Sequence, residues 1–229
     1  MTDIVLHHFD ASPFAEKTRK IFGIKKIAWR SVIIPMAPPK PDLLALTGGY
    51  RRTPVMQIGA DIYCDTRLIA RVIDRLCPEP PLFGAGPVSA AASHFWSGAE
   101  FFAPGAALSL HENRDYIAKD VADDRRAYFN FLDFDRFEED APHFRSQLRA
   151  FARLIDRSLA DRPFLDGDRP GACDIDAYFN IWMARGNIGS SPRLFADKHA
   201  LLAWRGRMDA FGEGVRTEIS AETAIDIAR

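Results

Sequence analysis

Residues 54–76 restrict the possible folds of this chain most strongly, because a short hairpin there leads directly into an amphipathic helix. The runs "PVMQI" and "DIYC" predict two strands about a tight Gly59-Ala60 turn, which suits a hairpin loop that begins with glycine. From Thr66 onward, apolar residues recur at helical spacing. This stripe consists of Leu68, Ile69, Val72, Ile73 and Leu76. The segment therefore supplies two antiparallel strands and one helix.

The preceding residues predict a β-α-β order. "DIVLHHF" (Asp3–Phe9) is a short β-rich run that ends in the turn signal "DASP", and Pro13 suits the first turn of a helix. "IAWRSVII" (Ile27–Ile34) reads as a second strand, because it is rich in β-branched and aromatic residues. Asp42–Thr47 fits one or two helical turns. Residues 1–77 are therefore predicted to form one α/β domain.

The second half of the chain has a different pattern. "PEPPLFGAGP" is rich in helix and strand breakers, so residues 78–88 are assigned to a linker. Helical periodicity dominates beyond it and no strand is evident, which makes 89–229 an all-α domain. Pro104 is expected to kink or end the first helix of this domain. The segment "YFNFLDFDRFEED" (Tyr128–Asp140) is aromatic-rich without a clear period.

Composition excludes some classes of function. Lys plus Arg (30) nearly balances Asp plus Glu (31), which argues against a dedicated binder of nucleic acid or of an anionic membrane. Cys64, Cys77 and Cys173 lie far apart without metal-site or redox-motif spacing, as in proteins of a reducing cytosol. The amino terminus has no basic leader, and no stretch approaches the roughly 20 apolar residues of a membrane span. We expect a soluble cytoplasmic protein that needs no metal.

Three motifs in order resemble the glutathione transferase superfamily. "SPFAEKTR" (Ser12–Arg19) is similar to the start of the first helix in serine-type members. "TPVMQIGADIYCDTRLI" (Thr53–Ile69) is similar to the family's Val-Pro-Val-Leu…Glu-Ser-x-x-Ile block. "DRPGACDIDAYFNIWMAR" (Asp168–Arg185) is similar to its Pro-Ser-x-Ala-Asp helix-capping motif, with Gly171 and Asp174 at the cap. The resemblance implies a thioredoxin-like N-terminal domain joined to an all-α C-terminal domain.

The resemblance also implies a catalytic role for Ser12. Its hydroxyl would donate a hydrogen bond to the thiolate of bound glutathione, and the alternative role is to cap the helix that Pro13 begins. Asp10 would oppose the thiolate if its carboxylate pointed inward. Position 12 is serine and position 15 is alanine, so both thiols of a dithiol motif are absent from these places.

Glutathione itself would be held by the second motif. The resemblance implies a cis peptide bond at Pro54 and a free edge at Val55, along which the cysteinyl backbone docks; a proline that merely protects an edge strand is the alternative. Asp65 would pair with the γ-glutamyl ammonium and Thr66 would receive the γ-glutamyl carboxylate, unless both only cap the helix. Arg52 matches a family lysine that faces the glycine carboxylate, and a solvated surface arginine is the alternative.

The function implied is a glutathione transferase that attacks a small, apolar electrophile. We expect the second substrate to lie near Phe9, Ala11 and Phe101, and we expect a homodimer, as in relatives. Two alternatives stay open. One is a non-catalytic binding or regulatory module with the same fold, because a fold does not fix a function. The other is a glutathione-dependent isomerase or dehalogenase, which uses the same thiolate on a different substrate.

Overall fold

A computed structural model describes residues 3–229 as two compact units. The first unit contains the described residues up to Leu82 together with Phe211–Arg229, and the second contains Phe83–Ala210. The chain thus leaves the first unit near the proline-rich segment 78–88 and returns to it for its last nineteen residues.

The first unit is built on a mixed sheet of five strands in the order β4-β3-β1-β2-β5. The strands are β1 (Ile4–His8), β2 (Ala28–Ile33), β3 (Val55–Ile58), β4 (Asp61–Cys64) and β5 (Val215–Glu218). β2 runs parallel to both β1 and β5, whereas β3 is antiparallel to β1 and β4. Both neighbours of β3 are therefore strands, and β3 lies inside the sheet.

Helices cover both faces of this sheet. They are α1 (Pro13–Ile24), α2 (Pro41–Thr47), α3 (Thr66–Leu76) and α11 (Ala221–Ile227). Val5 and Val55 pack with Leu43 of α2 and Ala224 of α11 on one face. Since side chains alternate along a strand, His8 points to the other face, where α1 contacts it and α3 packs on α1.

The predicted elements of residues 3–76 are confirmed to within about two residues at their ends. The expectation of no strand after residue 89 was wrong, because β5 lies at Val215–Glu218. Its sequence, VRTE, lacks an apolar alternation because the strand lies at a sheet edge with mostly exposed side chains. Two glycines allow the chain before β5 to pack here. A Cβ on Gly23 of α1 would lie 2.3 Å from the Gly212 carbonyl oxygen, and Gly214 adopts a positive φ of +76°.

The second unit is a helical bundle within the described residues. Its helices are α4 (Pro87–Trp96), α5 (Ala99–Glu112), α6 (Lys119–Tyr128), α7 (Phe137–Ser158), α8 (Ala172–Asn187), α9 (Ser191–Phe195) and α10 (His199–Ala210). Pro104 lies inside α5, the second helix of this unit, and does not end it. The segment that the sequence left unassigned forms the end of α6, a turn and the start of α7.

Helix α8 is central to the second unit and is capped as predicted. The carboxylate of Asp174 accepts a hydrogen bond from the Gly171 N–H at 3.2 Å. It also accepts from the Leu165 and Asp166 N–H groups and from the Trp204 indole at 2.8 Å. Burial raises the pKa of Asp174 to about 6, although the hydrogen bonds from these four donors act to lower it. The motif therefore organises the fold of this unit.

Candidate functional site

The strand register brings the first two motifs to one end of the sheet. His7 of β1 lies opposite Val55, the first residue of β3, and Val55 lies opposite Cys64, the last residue of β4. β1 ends one residue later, at His8. The segment from Phe9 to Ser12, the Thr53-Pro54 pair and the Asp65-Thr66 pair therefore all adjoin the same end of the sheet.

Ser12 is the N-cap residue of α1. Its Oγ accepts a hydrogen bond from the Ala15 N–H at 3.1 Å, and its backbone N–H donates to the Phe9 carbonyl oxygen at 3.1 Å. Ser12 is buried, with 2% of the residue exposed. Because a hydroxyl has one proton to donate besides its acceptor sites, capping leaves the Ser12 proton available to an anion. That anion would also lie at the positive end of the α1 dipole.

Asp65 caps α3 in a strained backbone conformation. Its carboxylate accepts a hydrogen bond from the Arg67 N–H at 2.8 Å. Its φ is +79° and its ψ is 127°, and Lys26 is the other non-glycine residue with positive φ in the described chain. Residues held in such regions cost about 1–3 kcal/mol and concentrate at functional sites. The Asp65 carboxylate is exposed, and half-buried Thr66 follows as the first residue of α3.

The backbone at Val55 differs from the prediction. The Thr53–Pro54 peptide bond is cis, and Pro54 and Val55 are both buried. The predicted free edge at Val55 was wrong, because β3 is paired on both sides, with His7 and with Cys64. In an antiparallel strand the N–H and C=O of a residue point to the same neighbour, so those of Val55 face a paired strand. Thr53 precedes the strand and is half-buried.

A lysine that the sequence analysis did not consider lies beside Thr53. Lys40 precedes α2 and is 6% exposed, and its Nζ donates to the Thr53 Oγ1 at 3.1 Å. The same ammonium lies 5.9 Å from the centre of the Phe9 ring. Arg52, the predicted cation, is exposed. The strand topology could have indicated Lys40. Because β2 is parallel to β1, the loop after β2 starts at the end of the sheet that carries Ser12.

Of the residues predicted for a second substrate, two lie in the β1–α1 loop and one lies elsewhere. Phe9 is half-buried against the core of the first unit, and Ala11 is exposed. Phe101 is 1% exposed inside the second unit, with its ring 5.2 Å from that of Trp96 and 4.8 Å from that of Phe151. This burial does not suit a side chain that lines a substrate site.

A buried polar network supports the loop that precedes Ser12. Arg19 of α1 donates from Nη2 to the Asp10 carbonyl oxygen at 2.9 Å and pairs with Glu16, also at 2.9 Å. Its Nη1 lies 3.0 Å from His8 Nδ1. Burial, reinforced by the positive charges of Arg19 and Arg216, lowers the pKa of His8 to about 3. His8 is thus neutral, and Nε2 has a hydrogen to donate to the Ser31 Oγ at 2.9 Å.

Cys64, Cys77 and Cys173 are free thiols. Cys64, at the end of β4, is the one adjoining the site, and burial raises the pKa of its thiol. Burial also raises the pKa of Cys173 in the second unit.

Residues 3–229 lack two further features, a metal-binding cluster and a membrane-spanning helix. These residues hold no cluster of three His, Cys, Asp or Glu side chains that is placed to bind a metal ion. No helix in this part of the chain has both the length and the apolar character needed to cross a membrane.

Comparison with known proteins gives matches to both the sequence and the fold. A family model described as "Glutathione S-transferase, N-terminal domain" matches residues 6–81. A crystal structure of a GST-like protein from Pseudomonas syringae is 32% identical in sequence, has a TM-score of 0.73, and is aligned over 100% of this chain and 74% of its own.

Two more distant relatives match this chain, one in fold and one in part of its sequence. The structure of a rice glutathione transferase, solved in complex with glutathione, is 18% identical, is aligned over 99% of this chain and 95% of its own, and has a TM-score of 0.64. The curated glutathione S-transferase U4 of Arabidopsis thaliana is 25% identical over 95 residues, which are 42% of this chain and 42% of the relative. That match therefore spans less than half of the curated protein.

Proposed function

The chain belongs to the glutathione transferase superfamily, and from that premise we propose that it binds glutathione and activates the thiol as a thiolate, which attacks a small, apolar electrophile. Its fold is the thioredoxin-like domain and helical domain of that superfamily, as the motifs predicted. One observation carries the proposal. His7, Val55 and Cys64 are paired across β1, β3 and β4. Ser12, Pro54 and Asp65, which lie close to them in sequence, therefore adjoin one end of the sheet.

Ser12 is proposed to ionise the thiol. A free thiol has a pKa of about 8.5, and lowering it by about two units requires roughly 2.7 kcal/mol of preferential stabilisation of the thiolate. A hydrogen bond to a charged group contributes about 1.5–3 kcal/mol, and a helix N-terminus contributes up to about 2 kcal/mol. The Ser12 hydroxyl at the start of the twelve-residue helix α1 is therefore sufficient. Neither a metal nor a general base is required.

The remaining groups are proposed to hold the tripeptide. Asp65 would bind the γ-glutamyl ammonium, while Thr66 and the first N–H groups of α3 would bind the γ-glutamyl carboxylate. Thr53, rather than Val55, would offer its backbone to the cysteinyl unit, because it lies before the paired strand. Lys40 and Arg52 flank this position, and Lys40 suits the glycine carboxylate better because its ammonium already lies at Thr53.

The electrophile is proposed to lie against the loop that leads to Ser12. Phe9 and Ala11 belong to the loop that leads to Ser12, so they remain the proposed contacts for the second substrate. Half-buried Phe9 offers an aromatic surface, which suits an apolar molecule.

The test measures glutathione binding by calorimetry, thiolate formation by ultraviolet difference absorption, and turnover of a chloronitroaromatic electrophile. Ser12→Ala should bind glutathione with little change in affinity while losing about ten- to hundredfold in turnover near neutral pH, since it removes one charge-assisted hydrogen bond. Ser12→Ala also removes a helix cap. Ser220→Ala removes the matching cap on α11, where Ser220 accepts from the Thr223 N–H at 3.1 Å, and should keep full turnover.

Three results would change the conclusion. Binding with thiolate formation but no turnover of this electrophile would favour the isomerase or dehalogenase class. Binding without a thiolate would favour a non-catalytic module. If calorimetry at millimolar glutathione gave no heat, the proposed function would be wrong.

A further inference from the structure

The last strand of the chain reaches the loop that carries Ser12. Arg216 of β5 donates from Nη1 to the Asp10 Oδ1 at 2.8 Å and from Nη2 to the Glu218 Oε1 at 2.9 Å. Asp10 lies two residues before Ser12 and 206 residues before Arg216. We propose that Arg216 is a positioning residue of the thiol site, which fixes the Asp10–Ser12 loop and neutralises its carboxylate; this inference rests on the proposed function.

Geometry gives the first argument. The backbone of Asp10 is held by Arg19 from α1, and its side chain is held by Arg216 from β5, so two elements fix the same loop residue. The guanidinium of Arg216 lies over the ring of Trp29, 5.7 Å from its centre. The indole of Trp29 in turn donates to the Glu213 carbonyl oxygen at 2.7 Å. Arg216 thus has a fixed orientation on β5.

The position of the carboxylate gives the second argument. Two residues of extended chain span at most about 7 Å, so Asp10 cannot lie far from Ser12. A negative charge at that distance opposes the formation of a thiolate. The Asp10 side chain is 66% exposed, and its hydrogen bond from Arg216 is the main cause that lowers its pKa. The carboxylate therefore stays ionised where a thiol titrates, and a cation must offset its charge.

Other charged groups around Asp10 are less able to do so. His8 Nδ1 lies 3.9 Å and Arg19 Nη1 lies 4.0 Å from the Asp10 Oδ1, both farther away than Arg216. His8 is neutral because its pKa is lowered to about 3. Arg19 also forms ion pairs with Glu16 and Glu213. Arg216 also forms ion pairs with Glu213 and Glu218. Arg216 is thus the direct partner of the Asp10 carboxylate.

The experiment titrates the thiol of bound glutathione by ultraviolet difference absorption in the full-length protein. Arg216→Gln should raise the apparent pKa of that thiol by about half a pH unit, the size expected for an uncompensated carboxylate about 7 Å away that is screened by solvent. Asp10→Asn should lower it, because it removes the negative charge near Ser12 while the Arg216 guanidinium stays in place, and the double variant should return close to the wild type. Arg216→Lys should retain most of the wild-type behaviour. Thr217→Ala, an exposed neighbour on the same strand, is the control.

Opposite shifts for the two single variants would support the proposal, because damage to a purely structural contact would change the thiol in one direction for both. If Arg216→Gln titrated like Thr217→Ala while the wild type formed a thiolate, the role of Arg216 would be wrong and the proposed function would stand. If the wild type bound glutathione without forming a thiolate, both would fall. Shifts of the same sign for Asp10→Asn and Arg216→Gln would overturn the charge argument.

Discussion

Replacing Asp65 by glycine should separate the backbone strain at this position from its role in binding. Glycine adopts positive φ without steric cost, so the substitution releases about 1–3 kcal/mol of strain. The greater entropy of glycine in the unfolded chain offsets about 0.5–1 kcal/mol, and the change of cap costs a few tenths more. We therefore expect Asp65→Gly to be at least as stable as the wild type and up to about 2 kcal/mol more stable.

Glutathione affinity should change in the other direction. Loss of a hydrogen bond to a charged group costs about 1.5–3 kcal/mol, and exposure of the Asp65 carboxylate favours the lower end. Because about 1.4 kcal/mol corresponds to a factor of ten, the dissociation constant should rise about tenfold. Asp65→Asn retains a capping side chain without its charge, so it should lose a similar affinity at nearly unchanged stability.

Both quantities are measured on the same samples, by calorimetric titration with glutathione and by urea denaturation. Lys26→Gly is the matched control, because Lys26 also has a positive φ, of 54°, and is an exposed residue just after α1. It should gain stability without a change in affinity. The reasoning would be refuted if Asp65→Gly lost about 1 kcal/mol, like an ordinary cap deletion, or if it bound glutathione as tightly as the wild type.

Three further predictions test other contacts. Lys40→Met should weaken glutathione binding about tenfold by calorimetry, whereas Arg52→Met should change it less than threefold. The reverse order would contradict the proposal that Lys40 binds the glycine carboxylate of glutathione. Gly23→Ala should cost about 1–3 kcal/mol in urea denaturation, because its Cβ would meet the Gly212 carbonyl oxygen at 2.3 Å; a gain, as helix propensity alone predicts, would contradict this. His8 takes up a proton below about pH 6.5 in the unfolded chain but only near pH 3 in the folded chain. Between pH 6.5 and pH 3 acidification therefore favours the unfolded chain, and His8 lowers the free energy of unfolding by about 1.4 kcal/mol for each pH unit. His8→Gln should make that decline shallower, and equal slopes in denaturation from pH 6 to 4 would be inconsistent with a buried neutral histidine.

Local patterns determined most of the first unit. The strands and helices of residues 3–76 follow from alternation, helical periodicity and turn residues, because each of these signals lies within a few neighbouring residues. The caps at Ser12, Asp65 and Asp174 were predictable for the same reason. The caps at Ser12 and Asp65 also fix the two helix N-termini at the proposed site, those of α1 and α3.

Only the tertiary structure decided what surrounds those caps. The pairing of β3 on both sides moved the proposed docking backbone from Val55 to Thr53, and the loop after β2 brought Lys40 beside it. The pairing of Asp10 with Arg216 joins residues 206 positions apart, across a strand with no apolar alternation. Contacts of this kind depend on which strands become neighbours. That choice is made by the packing of the whole sheet and leaves no periodic signal in the sequence.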